Sequence, residues 1–242
     1  VPVHVYGNPC HVDAIDAIAK QYELKVIYDA AHAFGVECHC GSVLNHGDLS
    51  VLSFHATKVF NIFEGGAIVS SDIETKLYID QLTNFGYESE TDVVQVGING
   101  KTNEFSSAVG LLQLQHVYGQ IEKRKTIDLA YRKGLNGILG IRCHAPSAAH
   151  RSNYGYFPIF VEEGYPLTRD QLYERLKYAG INGRRYFYPL ISEFPMYNGF
   201  ASSHRNNLAV ATRAASQILC LPIYPDLPIA KVEEICGLIR MQ

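Results

Sequence analysis

The sequence predicts an α/β protein, with a mainly parallel sheet in a larger domain over residues 1–130 and a smaller α/β domain over 131–242. Three features carry this prediction. Short apolar runs alternate with helix-period patterns in the first half, the mark of βαβ units. The two middle strands run straight into polar residues at their carboxyl ends, where ligands gather in open α/β sheets. A long helix-period stretch from Asn103 to Leu135 connects the two halves.

Taken in order, Val3 to Tyr6 reads as a strand. Asp13 to Tyr22 reads as a helix with Ile15, Ile18 and Ala19 on one face. Lys25 to Tyr28 reads as a buried strand ending at Asp29, Leu49 to Phe54 as a third strand and Gly66 to Ser70 as a fourth. Within the long helical stretch, Gly110 and Gly119 mark either a break or close packing. Beyond it, Tyr154 to Val161 is the next strand, and Thr168 caps a helix running to Ala179. Helices over Asn206 to Leu219 and Lys231 to Arg240 close the chain.

A chain that is 47% hydrophobic and 19% charged folds rather than remaining disordered. With 21 basic against 24 acidic residues it carries no footprint for a nucleic-acid backbone and no polybasic membrane patch. No apolar run approaches the roughly 20 residues that span a bilayer, so a cytoplasmic protein acting on small polar molecules is expected. Six cysteines in a chain of this length are too sparse for a disulfide scaffold and are expected to be reduced. Cys38-His39-Cys40 and Cys10-His11 offer thiolates and imidazoles. However, the C-x-C has no second matching motif, and no metal is expected. The chain begins without methionine, inside an apolar run, which predicts upstream residues.

Chemistry collects at the strand ends. Asp29 leaves an apolar strand, His32 follows three residues on, Ser53 closes a strand, and Lys58 stands between that strand and Gly65-Gly66. Pyridoxal phosphate demands an amine for its aldehyde, a carboxylate for its pyridine nitrogen, a ring against its own ring and donors for its phosphate. The sequence offers a candidate for nearly each of these demands. Each also has a plain alternative: a capping aspartate, a packed histidine, a serine closing a strand, a solvated lysine. A nucleophilic Lys58 needs a lowered proton affinity, which burial supplies.

Four segments in order, VHVYGNPC, VIYDAAHAFG, GDLSVLSFHATKVFNIFEGGAIV and VGINGKTNEFSSAVGLLQL, resemble successive signatures of the DegT/DnrJ/StrS family of nucleotide-sugar aminotransferases. The resemblance covers almost the whole chain, and within the family it points to transaminases of dTDP-linked keto-6-deoxyhexoses. It implies an aspartate aminotransferase-like fold (fold type I) that binds pyridoxal 5'-phosphate. Lys58 would then be the Schiff-base lysine, Asp29 the partner of the pyridine nitrogen, His32 the residue beside the ring and Ser53 a phosphate ligand. Asn99 would reach the cofactor phosphate of a neighbouring subunit, so that a homodimer shares its sites. Arg185 and Tyr186 would approach the pyrophosphate of the nucleotide sugar. The family also contains keto-sugar dehydratases with histidine in place of the lysine, and the retained Lys58 favours transamination with glutamate as donor. Amino sugars of this kind enter lipopolysaccharide or antibiotic glycosylation. The family carries an upstream segment of roughly a hundred residues, within the usual size of a domain, that helps to hold the phosphate. Without turnover, the same fold would be a cofactor- or partner-binding remnant.

Overall fold

The computed structural model describes residues 1–144 and 151–241. They fall into two compact units: residues 1–121 with 151–155, and residues 122–144 with 156–241.

In the first unit, Val3 makes a single parallel bridge to Asp29, and a 3-10 turn over Val5–Gly7 replaces the rest of the expected strand. Tyr6 (φ 57°) and Gly7 (φ 82°) take left-handed backbone that a strand cannot contain. A side chain at Gly7 would place its Cβ 2.9 Å from the His32 carbonyl oxygen, so glycine permits this close approach. Helix α1 (Val12–Gln21) buries Val12 and Ala19 and half-buries Ile15. The inward stripe therefore follows positions i, i+3 and i+7, and Ile18 points outward.

Strand β1 (Ile27–Asp29), the hairpin strands β2 (Glu37–Cys38) and β3 (Gly41–Ser42), and strands β4 (Leu49–Ser53) and β5 (Gly66–Ser70) follow. β1 and β4 pair in parallel from Ile27–Leu49 to Asp29–Val51, and β5 lies antiparallel along the other edge of β4. The link from Ser53 to Gly66 holds no helix, so the chain can only return antiparallel. Alternation puts Tyr28, Ser50 and Leu52 on the buried face. Ile27, Asp29, Val51 and Ser53 share the opposite face, where Ile27 and Val51 remain 38% exposed.

Helix α2 (Ile73–Thr83) buries no side chain; it starts on Asp72, whose carboxylate accepts from the Glu74 and Thr75 amides. Helix α3 (Glu104–Leu135) runs unbroken through both glycines. Gly110 is close packing, because a Cβ there would lie 3.0 Å from Ile62, whereas Gly119 faces open space. Val117 and Ile121 pack with Val59, Phe60 and Ile62, the residues directly after Lys58. No helix among the described residues is long and apolar enough to cross a membrane.

The second unit holds β6 (Ile141–Cys143), β7 (Phe157–Val161), α4 (Arg169–Tyr178), α5 (Ala209–Gln217), β8 (Ile218–Leu221) and α6 (Ile229–Arg240). Its sheet is antiparallel, in the order β6-β7-β8. Tyr131, Phe157, Leu172, Leu219 and Ile235 are among the buried side chains of its core. The helix expected to run to Leu219 stops at Gln217, because the four residues that follow are all buried and pair with β7. The buried Arg169 guanidinium donates to the Ala215 and Ile218 carbonyls, which satisfies acceptors at the end of α5. Thr168 forms the predicted cap as a full capping box with Gln171. Thr168→Ala is expected to destabilise the protein by about 1 kcal/mol, read as a lowered denaturation midpoint.

Candidate functional site

The open face of the first sheet ends on the residues singled out from the sequence. Asp29 closes β1 opposite Val51, and Ser53 closes β4 two residues farther on, so both side chains leave the same face. The Asp29 carboxylate accepts from the Ala31 amide at 3.0 Å, which turns the chain toward His32. The Ser53 hydroxyl oxygen accepts from the His55 amide at 3.3 Å, and that bond leaves its proton available to another acceptor. The turn after Ser53 is held by the Lys58 amide on the His55 carbonyl (2.9 Å) and the Ile62 amide on the Phe54 carbonyl (2.9 Å). Val59 and Phe60 then enter the core, so Lys58 is anchored by its own neighbours and is itself half-buried.

Burial lowers the basicity of Lys58, and the Asp29 carboxylate partly restores it. His32 feels both groups. Burial first, then the Lys58 ammonium, bring its pKa down to about 4 against the opposing pull of Asp29. His32 Nδ1 accepts from the Tyr6 amide at 3.0 Å, so the neutral ring carries its proton on Nε2. The Tyr6 and His32 rings lie nearly parallel, 5° apart with centroids at 6.3 Å. Behind the loop, the amide of the buried Asn153 donates to the His32 carbonyl (2.8 Å) and the Phe34 carbonyl (2.9 Å).

His4 is fully buried, stacks on Tyr28 and has a pKa of about 4, through burial first and then repulsion from His46. Because His4 and His32 both have folded values below their ordinary 6.5, the unfolded chain takes up their protons first as pH falls. Their contribution to stability is complete above about 6.5 and is lost as pH falls toward about 4. Denaturation midpoints measured from pH 7.5 to 4.5 are expected to decline, and to decline less steeply in His32→Asn.

Asn99 is elsewhere in this unit, on an exposed bridge to Asn84 beyond α2. Its neighbours Val96 (96% exposed) and Ile98 (68%) also face outward. Arg185 and Tyr186 belong to the second unit. Arg185 is paired with Asp170 at 2.8 Å and stacked over Tyr173, and Tyr186 meets Tyr156 edge-on. Tyr6, His4 and Asn153 were not foreseen from sequence. The Tyr6-Gly7 pair carries a turn signal that the surrounding apolar run hides, whereas nothing near Asn153 announces a partner 121 residues earlier.

Comparison with known proteins bears on this arrangement. The model of the DegT/DnrJ/EryC1/StrS aminotransferase family matches residues 1–240. The chain is 52% identical over 242 residues to a dTDP-4-amino-4,6-dideoxy-D-glucose transaminase of Shigella dysenteriae, covering 99% of this chain and 65% of that protein. An Escherichia coli protein of the same name is 50% identical over 228 residues, covering 94% of this chain and 62% of that one. The fold superposes on DesI, solved in the presence of its TDP-sugar product, with a TM-score of 0.92 at 30% identity, over 99% of this chain and 60% of that one. The chain thus spans a little under two thirds of the length of the relatives it matches.

Proposed function

The chain belongs to the DegT/DnrJ/EryC1/StrS aminotransferase family, and from that premise we propose that it is the greater part of a pyridoxal phosphate-dependent nucleotide-sugar transaminase. The reaction moves an amino group from glutamate to a keto group of a dTDP-linked 6-deoxy sugar. The observation that carries this reading is the electrostatic cluster of Lys58, His32 and Asp29: an amine of lowered basicity, a neutral imidazole and a carboxylate that acts on both. The substrate class is inferred from the names of the relatives.

The donor set fits the cofactor. When bound, pyridoxal phosphate supplies an aldehyde and an electron-withdrawing ring that stabilises negative charge beside the transferred nitrogen. Asp29 would hold the proton on the pyridine nitrogen, His32 would face the ring as an uncharged donor, and Ser53 would donate to the phosphate. Lys58 is the amine for the aldehyde. As a free amine it would be the base that lifts and returns the proton on the substrate carbon. Its half-buried position suits that task, because desolvation raises the fraction of free amine at neutral pH.

Asn99 serves a second copy of the chain, a role supported by its exposure among the apolar Val96 and Ile98. Arg185, oriented by Asp170, and Tyr186 are the contacts for the nucleotide sugar. The first unit, residues 1–121 with 151–155, is read as part of the cofactor-binding domain and the second, 122–144 with 156–241, as the small domain, a division placed differently from the expected break at residue 130. A cytoplasmic setting accords with six cysteines that are all free of disulfides.

The test uses the gene product that carries this chain. Added pyridoxal phosphate followed by borohydride should fix the mass of the cofactor on Lys58, and glutamate with a dTDP-linked 4-keto-6-deoxyhexose should yield amino sugar. Labelling of a different lysine, or absence of amino sugar, would overturn the reading.

A further inference from the structure

Away from the site described above, the β2–β3 hairpin gathers two thiols and two imidazoles. The Cys38 and Cys40 sulfurs are 3.3 Å apart, and His46 Nε2 lies 3.2 Å from the first and 3.3 Å from the second. His39 puts a ring nitrogen within 4.8 Å of both sulfurs. We infer that Cys38, Cys40 and His46, with His39 as fourth ligand, hold a tetrahedral zinc ion.

Two thiolates with two imidazoles are a set that structural zinc favours. Zinc at about 2.3 Å from sulfur and 2.0–2.1 Å from nitrogen gives tetrahedral edges of roughly 3.5–3.8 Å. The sulfurs and His46 need to separate by only a few tenths of an ångström, a motion within reach of side-chain rotation. The C-x-C weighed against a metal because the sequence holds no second matching motif, and the Cys10 thiol, the other sulfur considered, instead donates to the Val3 carbonyl at 3.1 Å. The missing partner is His46, brought back by the 3-10 turn Val43–Asn45.

The frame around these ligands is set by other contacts. Gly41, at φ 110°, allows the tight hairpin turn. Val43 is fully buried, and the Ser42 hydroxyl accepts from the Leu44 amide at 3.3 Å. On the other side of His46, Gly47 lies so close to Tyr28 that a Cβ would approach it to 2.9 Å. Next to it, the Asp48 carboxylate accepts from the Val26 amide at 2.8 Å. His39 Nε2 lies 3.4 Å from an Asp13 oxygen, the kind of carboxylate partner that orients a ligating imidazole. Zinc would take both sulfurs as thiolates, so its binding releases two protons. The ion would brace the hairpin that follows the His32 loop.

Cobalt(II) is the probe. Titrated anaerobically into the reduced, metal-free gene product, one equivalent should give the visible bands of tetrahedral cobalt and ultraviolet thiolate-to-cobalt charge transfer. One equivalent of zinc should bleach both. Cys40→Ser, at an exposed thiol, should lose the charge transfer and bind at least ~10–100-fold more weakly, the loss typical even for a ligand's supporting partner, whereas Cys10→Ser should be unchanged. Native mass spectrometry of the unaltered protein should show one zinc per chain and needs no variant to fold. Absence of tetrahedral bands, bands that persist in Cys40→Ser, or no zinc adduct would each overturn the inference.

Discussion

Lys58→Arg is expected to lower amino-sugar formation by roughly 10²–10⁴-fold or more, the range for losing a positioned proton-transfer group, and to abolish borohydride labelling. Arginine keeps the positive charge and much of the length of the side chain. However, its guanidinium does not give up its proton in this pH range and offers no simple amine to an aldehyde. The variant therefore separates charge from nucleophilicity. Lys58→Met gives a complementary readout. Removing the ammonium removes the second cause of the depressed His32 pKa, so that value should rise from about 4 yet stay below 6.5, because burial, the first cause, remains. Histidine proton chemical shifts followed with pH check this. An unshifted His32 would mean that Lys58 does not face it, and wild-type turnover in Lys58→Arg would remove Lys58 from the reaction.

Asn153→Ala is expected to destabilise the first unit by roughly 2–4 kcal/mol, given ~1–3 kcal/mol for each buried group left without a partner. Its side chain joins the His32 and Phe34 carbonyls to the Gly155 amide, and all three bonds would be lost at once from a residue that is 1% exposed. The His32 loop would loosen without any change in the reacting groups. Cofactor affinity should then fall together with the denaturation midpoint, and Asn153→Asp, which sets a buried carboxylate oxygen against both carbonyls, should lose at least as much. An Asn153→Ala protein of wild-type stability would show that these bonds are replaced by water at no cost.

Much of the arrangement was legible in the sequence because it is local. The Val-Ile-Tyr run before Asp29, the strand closing on Ser53, the glycines at 65 and 66 and the capping threonine at 168 each announce themselves within a few residues. Errors came where a local pattern served two structures. The apolar run at Val3 bends at Tyr6, and the helical pattern over α5 continues into the buried β8, since an all-apolar segment does not reveal whether its backbone partners lie within it or on another strand.

The α/β class, the family and the identity of Lys58, Asp29, His32 and Ser53 as candidates follow from the sequence by itself, since periodicity and ordered signatures are properties of neighbours in the chain. Tertiary structure alone decided that Asp29 and Ser53 leave one face of the sheet, that Tyr6 and Asn153, far apart in the chain, both hold His32, and that His46 rather than Cys10 joins the cysteine pair. The reason is physical. Burial and strand register bring together groups separated by up to 121 residues; the lowered basicity of Lys58 arises from that burial, and that of His32 from burial first and then from the Lys58 ammonium.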